Sequence, residues 1–406
     1  MQTDYLIIGG GIAGTTAAET IRQNDPKGSI AIVSDEPHRL YSRITLSKIN
    51  FFLEKLPFDS IWLKQSEWYD QKNISLLAGK RAAALDTQKK EVALDDGTVI
   101  QYGKLLLAIG GSARKLEIPG SAPEDISYLR TLDDAKTIIQ KTRASKEGIM
   151  IGGGFIGFEM CEMMRLAGLK VTLIIREPRF WDFLIDATSS ALIEEALEKN
   201  GVTILRNEEV REIAHNGKKL AILKSGQSIP FDMLIAGIGI YCPHAFIKEA
   251  GIAVQSGIIA NEYLETSAPD VWTAGDSAEF KDLILEEQIQ LGNWVNAQIQ
   301  GRIAGLNMTG TRTPFKLISS YTSRAFDLSL AFVGDVRMRE GRRSIPRGSK
   351  ESGSYAQIIV EGTKIKGAIL INRTKELGII GKLIQEGADV SDRDAQLADA
   401  DLKALL

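Results

Sequence analysis

Cysteine is scarce in this 406-residue chain, which has two, Cys161 and Cys242. Neither belongs to a C-x-x-C or C-x-x-x-x-C pair, so a dithiol site cannot be built locally. Cys161 lies in the apolar helical stretch Phe158–Leu166 and reads as core; Cys242, before Pro243, reads as structural. The three histidines, His38, His215 and His244, are too scattered to suggest a metal site. No apolar run reaches membrane-spanning length. A formal net charge of −3 gives no global attraction to nucleic acid or anionic lipid. A candidate strand begins by residue 4, which leaves no place for a secretory leader, and the cytoplasm is the expected location. The remaining composition, 44% hydrophobic and 25% charged, is that of a globular chain long enough for two or three buried cores.

Against these absences stands a phosphate-cradling sequence written twice. Gly9-Gly10-Gly11-Ile12-Ala13-Gly14 follows the apolar run Tyr5–Ile8, and Gly152-Gly153-Gly154-Phe155-Ile156-Gly157 follows Ile149–Ile151. Both satisfy G-x-G-x-x-G between a strand and a helix, where main-chain N–H groups reach a pyrophosphate at the positive helix end. One copy is weak evidence. Two copies imply two dinucleotides, and a flavin with a nicotinamide is the obvious pairing. Asp35 and Glu36 end the second strand of the first unit, about twenty residues past the glycines, where an acid suits ribose hydroxyls.

Periodicity predicts a helix from Ile12 to Arg22, strands at Ile30–Ser34 and Lys104–Ile109, and a second unit running from Gly148 to Arg176. Helix Ala187–Lys199 and strands near Val202–Leu205, Lys218–Leu223 and Met233–Ile238 continue that unit. The chain then returns to the first domain through Val271–Asp276 and a helix over Gln298–Met308. Beyond Thr309, the alternating runs Leu328–Val333, Tyr355–Val360 and Ile365–Ile371 predict an antiparallel sheet followed by helical, acidic residues.

These residues resemble the FAD- and NAD(P)-dependent pyridine nucleotide-disulfide oxidoreductases of the glutathione-reductase superfamily. They are most similar to the ferredoxin, putidaredoxin and rubredoxin reductases and to the flavin portion of nitrite reductase. The resemblance covers roughly residues 3–308. It rests on Gly9–Gly14, Tyr41-Ser42-Arg43 through Lys48, Leu107–Gly111, Tyr128–Thr131, Gly152–Glu159, Thr273–Asp276 and Trp294 through Gly301. It implies an α/β fold with two Rossmann-like dinucleotide-binding domains and a smaller α+β C-terminal domain. The FAD-binding domain would comprise 1–112 and 240–308, the NAD(P)H-binding domain 113–239, and the C-terminal domain, with a partner or dimer interface, 309–406.

By the same resemblance, Gly9, Gly11, Ile12, Ala13 and Gly14 would line the FAD pyrophosphate. Asp35 would bind the FAD ribose, and Asp276 the ribityl chain. Arg43 and Lys48 would lie beside the flavin, Arg130 near its pyrophosphate, and Ala82 would contribute to the same cofactor site. Trp294 would lie at the flavin edge, although a lone Trp on an apolar helix also reads as core. Lys48 and Glu159 would pair close to the flavin, the cation stabilising its anionic reduced form; read alone, both could be surface charges. Gly152, Gly154, Phe155, Ile156 and Gly157 would line the nicotinamide nucleotide.

Disulfide reductases of this superfamily carry sulfur near Tyr41–Lys48, and single-cysteine relatives keep one at about Ile44. Here the stretch reads Tyr-Ser-Arg-Ile-Thr-Leu-Ser-Lys. A thiol relay is therefore excluded in this segment, and electrons are expected to leave the flavin directly, as hydride chemistry followed by one-electron release permits. Relatives that bind NAD place an acid immediately after the second strand of the nicotinamide unit, where this chain has Ile175 followed by Arg176 and Arg179. Arginine matches a 2′-phosphate in charge and fork geometry, so NADP(H) is expected, with Glu177 arguing for NAD(H).

Arg337, Arg339, Arg342, Arg343, Arg347 and Lys350 crowd a segment with Gly341, Pro346 and Gly348. This reads as an exposed hairpin with a positive tip, either a solvated loop or a docking patch for a small acidic iron–sulfur protein or rubredoxin. The expected function is an NAD(P)H oxidoreductase delivering single electrons to such a protein. An NAD(P)H oxidase or quinone or dye reductase with a small-molecule acceptor is the alternative among enzymes, and a flavin-based redox-sensing or assembly protein the alternative of a different class.

Overall fold

Tyr5-Leu6-Ile7-Ile8 is apolar at successive rather than alternate positions, the pattern of a strand covered on both faces. It forms the buried end of β1 (Gln2–Ile8), which leads into α1 (Ile12–Asn24) and β2 (Ile30–Ser34). The computed structural model describes residues 1–399 and 401–405. Ala400 and Leu406, at the end of the expected C-terminal domain, and the side chain of Ile49 lie outside the described residues. The chain divides into two compact units, one of residues 1–42, 59–112 and 240–319, the other of residues 43–58, 113–239 and 320–406.

In the first unit β1 pairs in parallel with β2 and with β3 (Val99–Leu107). Strand Ile74–Ala78 extends the parallel sheet beyond β2, and Val271–Thr273 extends it beyond β3. Glu91–Leu94 and Ala82–Asp86 add an antiparallel meander. One face of the sheet, including Ile7, Ile32 and Leu106, packs under α1 and helix Trp294–Met308. A Cβ on Gly301 would come within 2.1 Å of the Ala13 carbonyl oxygen, so glycine is what lets these two helices approach. The second helix starts four residues before the expected Gln298, because the Asn293 side chain caps it by accepting the Asn296 N–H at 2.9 Å.

The second unit repeats the arrangement with β4 (Glu147–Ile151), α2 (Phe155–Leu166) and β5 (Lys170–Ile174). Its parallel sheet runs in the order 202–205, 170–174, 147–151, 233–236, 126–127. A three-stranded antiparallel sheet, 210–215, 219–223 and 228–231, adjoins it. The C-terminal portion is a five-stranded antiparallel sheet ordered β6 (Ser320–Ala325), 328–334, 364–371, 354–361, 342–349. Helix Leu377–Glu386 packs on its inner strands and ends at Gly387, whose φ of +63° suits a glycine C-cap. The fold class is α/β with two Rossmann-like halves and an α+β C-terminal portion. The sheet has two strands more than the apolar runs indicate: β6, and the edge strand Arg342–Ser349 in place of the expected charged loop.

Candidate functional site

The two glycine loops have the same geometry. Gly9 and Gly152 sit at φ +119° and +105°, and a Cβ would fall 2.1 Å from the Ala108 carbonyl oxygen in one case and 2.5 Å from that of Gly237 in the other. In each, a Cβ on the last glycine, Gly14 or Gly157, would fall 1.9 or 2.1 Å from the carbonyl oxygen of the first. These positions are closed by the protein's own backbone. The middle glycines are different: nothing lies within 4 Å of a Cβ on Gly11, and only the Gly237 carbonyl, at 3.9 Å, near one on Gly154.

Gly11 and Gly154 are also the N-caps of α1 and α2 and offer no side-chain acceptor. Helices 132–144, 187–199 and 294–308 are capped by Thr131, Asp186 and Asn293. The first N–H groups of α1 and α2 are therefore left without a capping side chain beside open space, the arrangement that receives a phosphate. Both loops fit a dinucleotide.

Around the first loop, Gly275 (φ +84°) brings its turn against α1: a Cβ there would lie 3.2 Å from that of Ala13. This sets Asp276, half-buried, beside the N-terminal turn of α1. Asp35 is exposed at the end of β2, while the neighbouring Glu36 accepts the Tyr41 hydroxyl at 2.6 Å. Ala82 packs in the apolar core and pairs with Leu94, which leaves only its main chain to face a ligand. Trp294 is half-buried in the first turn of its helix. On the same helix Asn296 Oδ1 and Gln300 Nε2 are buried without a hydrogen-bond partner, while Gln300 Oε1 accepts the Gly275 N–H at 2.7 Å. Two unsatisfied polar atoms by the Gly275 turn favour a polar ligand over dry core. Sequence reading passed over both.

The second unit gathers the cationic candidates. Lys48 Nζ lies 2.6 Å from Glu159 Oε1, and Ser323 Oγ donates to the same oxygen at 2.6 Å. Arg43 donates to the Arg130 carbonyl at 2.5 Å, and the Arg130 N–H is held by the Asp134 carboxylate at 3.0 Å, within the Thr131–Asp134 capping box. Phe155 meets the rings of Tyr321, Trp181 and Phe332, with centroids 4.1, 4.5 and 5.1 Å apart. Ile156 is half-buried beside it. Arg176 is 80% exposed and paired with Glu177 at 2.9 Å, and Arg179 pairs with Asp182.

The expected positive hairpin is replaced by paired charges. Arg342 and Arg347 are interior, with side chains 2% and 8% exposed. Asp335 holds Arg337, Arg339 and Arg342; Glu376 holds Arg347, Asp394 holds Arg343, and Glu195 holds Lys350. Asp335, just before the segment, and Glu376, Asp394 and Glu195, remote from it in sequence, pair with these cations, and Arg342 and Arg347 are buried in structural ion pairs.

Both thiols are buried. Burial pushes the Cys161 thiol far above its ordinary value; burial and then the Asp276 charge push Cys242 up to about 12. Neither forms a thiolate readily. Among the described residues no cluster of His, Cys, Asp and Glu could hold a metal ion, and no helix is long and apolar enough to cross a membrane.

Residues 3–301 match the pyridine nucleotide-disulphide oxidoreductase family, and residues 322–388 match the rubredoxin NAD+ reductase C-terminal domain. The chain belongs to this family and is an NAD(P)H-dependent flavin oxidoreductase, with FAD and a pyridine nucleotide as its cofactors. Over 402 residues it is 31% identical to the 5,5'-dehydrodivanillate O-demethylase ferredoxin reductase subunit of Sphingobium sp., covering 98% of this chain and 96% of that one. It is 29% identical to nitrite reductase [NAD(P)H] of Bacillus subtilis across 96% of its own length but spans only about half, 48%, of that protein. The structure of the ferredoxin reductase for the CYP199A2 system from Rhodopseudomonas palustris superposes with a TM-score of 0.91 at 28% identity, covering 99% of both chains.

Proposed function

We propose that this oxidoreductase takes reducing equivalents from NAD(P)H and passes electrons singly to a small ferredoxin- or rubredoxin-like protein, with no thiol relay. The observation that carries this reading is the burial of both cysteines, with Cys242 held neutral by its surroundings and by Asp276. Ferredoxin reductases among the relatives support the class of acceptor.

FAD, when bound, accepts two electrons together and releases them one at a time. The loop Gly9–Gly14 would hold its pyrophosphate by main-chain N–H groups, Asp35 the ribose hydroxyls, and Asp276 the ribityl hydroxyls. Arg43 and Arg130 offset the phosphate charge. Trp294 and the Ala82 main chain would contribute to the same cofactor site. Lys48, steadied by Glu159, would supply the positive charge that stabilises a reduced flavin. The loop Gly152–Gly157, with Phe155 and Ile156, would hold the nicotinamide nucleotide.

NADPH is the preferred donor in this reading, through Arg176 and Arg179, by a modest margin because Glu177 and Asp182 compete with a 2′-phosphate for the same guanidinium groups. Of the basic cluster, Arg337, Arg339 and Arg343 retain surface exposure and would steer an acidic partner.

The test is anaerobic reduction by NADPH followed by stopped-flow mixing with an acidic ferredoxin. Flavin reoxidation that outpaces the reaction with oxygen and slows with salt supports the reading. Slow reoxidation by ferredoxin with brisk turnover of oxygen or quinone overturns it.

A further inference from the structure

Strand β6 lies along α2 in register. The Tyr321 ring meets that of Phe155, Ser323 donates to Glu159, and the Phe326 N–H donates to Glu162. Four helical residues rise about 6 Å and two strand residues about 6.6 Å, so 155 and 159 on the helix can face 321 and 323 on the strand. The alternation of β6 agrees: Ser323 and Ala325 are buried, while Thr322 and Arg324 are exposed.

Lys48 cannot fix itself, since its side chain is 42% exposed and has four torsions. Glu159, 3% exposed, has three torsions of its own. A single donor would leave its carboxylate free to pivot. Ser323 supplies a second donor to the same Oε1, from a different element and from a buried position, 5% exposed. Two donors on one oxygen, from two different elements, restrict where that oxygen sits.

We propose that Ser323 is a positioning residue: through Glu159 it sets the location of the Lys48 ammonium, and so ties the first strand of the C-terminal sheet to the flavin chemistry. This rests on the reading of Lys48 as the cation that stabilises the reduced ring. Loss of the hydroxyl lets Glu159 and Lys48 wander together without removing either charge.

The holoenzyme is compared with Ser323→Ala, Ser323→Thr, Lys48→Met and the Lys48→Met/Ser323→Ala double variant. The readouts are flavin midpoint potential by dye equilibration, the rate of flavin reduction by NADPH, and thermal unfolding. Ser323→Ala is expected to lower the potential and slow reduction roughly tenfold, on the order of one charge-assisted hydrogen bond. Ser323→Thr, which keeps the hydroxyl and suits a strand, restores most of both. On the Lys48→Met background Ser323→Ala has no further effect on the potential, because the group it positions is gone.

The proposal fails if Ser323→Ala leaves the potential unchanged while Lys48→Met lowers it. It fails also if Ser323→Ala costs as much without Lys48 as with it, or if Ser323→Thr is as impaired as the alanine variant; each would mark a packing role. A Lys48→Met enzyme with the parent potential and rate would instead sink the reading of Lys48 on which the proposal stands.

Discussion

A methyl group placed at Gly11 would meet no protein atom within 4 Å, whereas one at Gly9 would lie 2.1 Å from the Ala108 carbonyl oxygen. The backbone at Gly11, φ −73° and ψ −171°, is one that alanine adopts readily. Gly11→Ala is therefore expected to change stability by less than about 1 kcal/mol, the weaker N-cap offsetting the gain from a stiffer unfolded chain. The methyl would stand where a phosphate approaches the first turn of α1. Losing one charge-assisted N–H contact costs about 1.5–3 kcal/mol, so the FAD dissociation constant should rise roughly 10- to 150-fold. Titrating apoprotein with FAD and following fluorescence quenching measures this directly, with thermal unfolding of the apoprotein as the control. Gly154→Ala, at the equivalent position of the second loop, should leave FAD affinity alone and weaken NAD(P)H binding to a similar degree. Wild-type FAD affinity in Gly11→Ala, or loss of FAD from Gly154→Ala, would refute the assignment of the two loops.

Arg176→Ala should raise the KM for NADPH on the order of tenfold with little change for NADH, measured by steady-state dye reduction; equal changes would remove Arg176 from the 2′-phosphate site. Burial alone would raise the Asp335 carboxyl, but hydrogen bonds from Arg337 and Arg342 outweigh it and bring its pKa down to about 2. A depressed folded-state value contributes stability above the unfolded pKa of 3.8, here roughly 2 kcal/mol, that is lost as pH falls from about 4 through 2; acid unfolding of Asp335→Asn should lack this component. Arg342→Ala leaves Asp335 and Glu361 short of a buried cation and should cost about 3–5 kcal/mol in denaturant unfolding, against less than about 1 for the surface pair removed by Arg343→Ala.

The strand–glycine–helix units were legible because their signal is local: an apolar run, three glycines at fixed spacing and an amphipathic helix all fall within a few turns of chain. The pairing of Lys48 with Glu159 was reached through resemblance, since 111 residues separate them. The arginine-rich segment misled for the converse reason. Its composition of Arg, Ser, Gly and Pro reads as a solvated turn; Asp335 stands beside it, but Glu361, Glu376 and Asp394, which complete the pairing, lie further along the chain and give no local sign. The capping box at Thr131 and Asp134 was open to pattern reading and marks a helix the periodicity passed over. Ser323 carried no motif, because a lone hydroxyl on a strand gains meaning only from what faces it.

The hairpin joining β6 to the next strand turns on two residues, Phe326 and Asp327, with Ala325 opposite Leu328 and Ser323 opposite Leu330. Phe326 sits at φ +53°, a conformation costly for a bulky residue. A slip of one residue in this ladder would turn Ser323 outward and present Thr322 or Arg324 to the helix instead. The turn thus works as a gauge that fixes how far along α2 the hydroxyl falls. Relaxing it, by a glycine at 326 or one inserted residue, would detune the distant Glu159 without touching any residue of the cofactor loops.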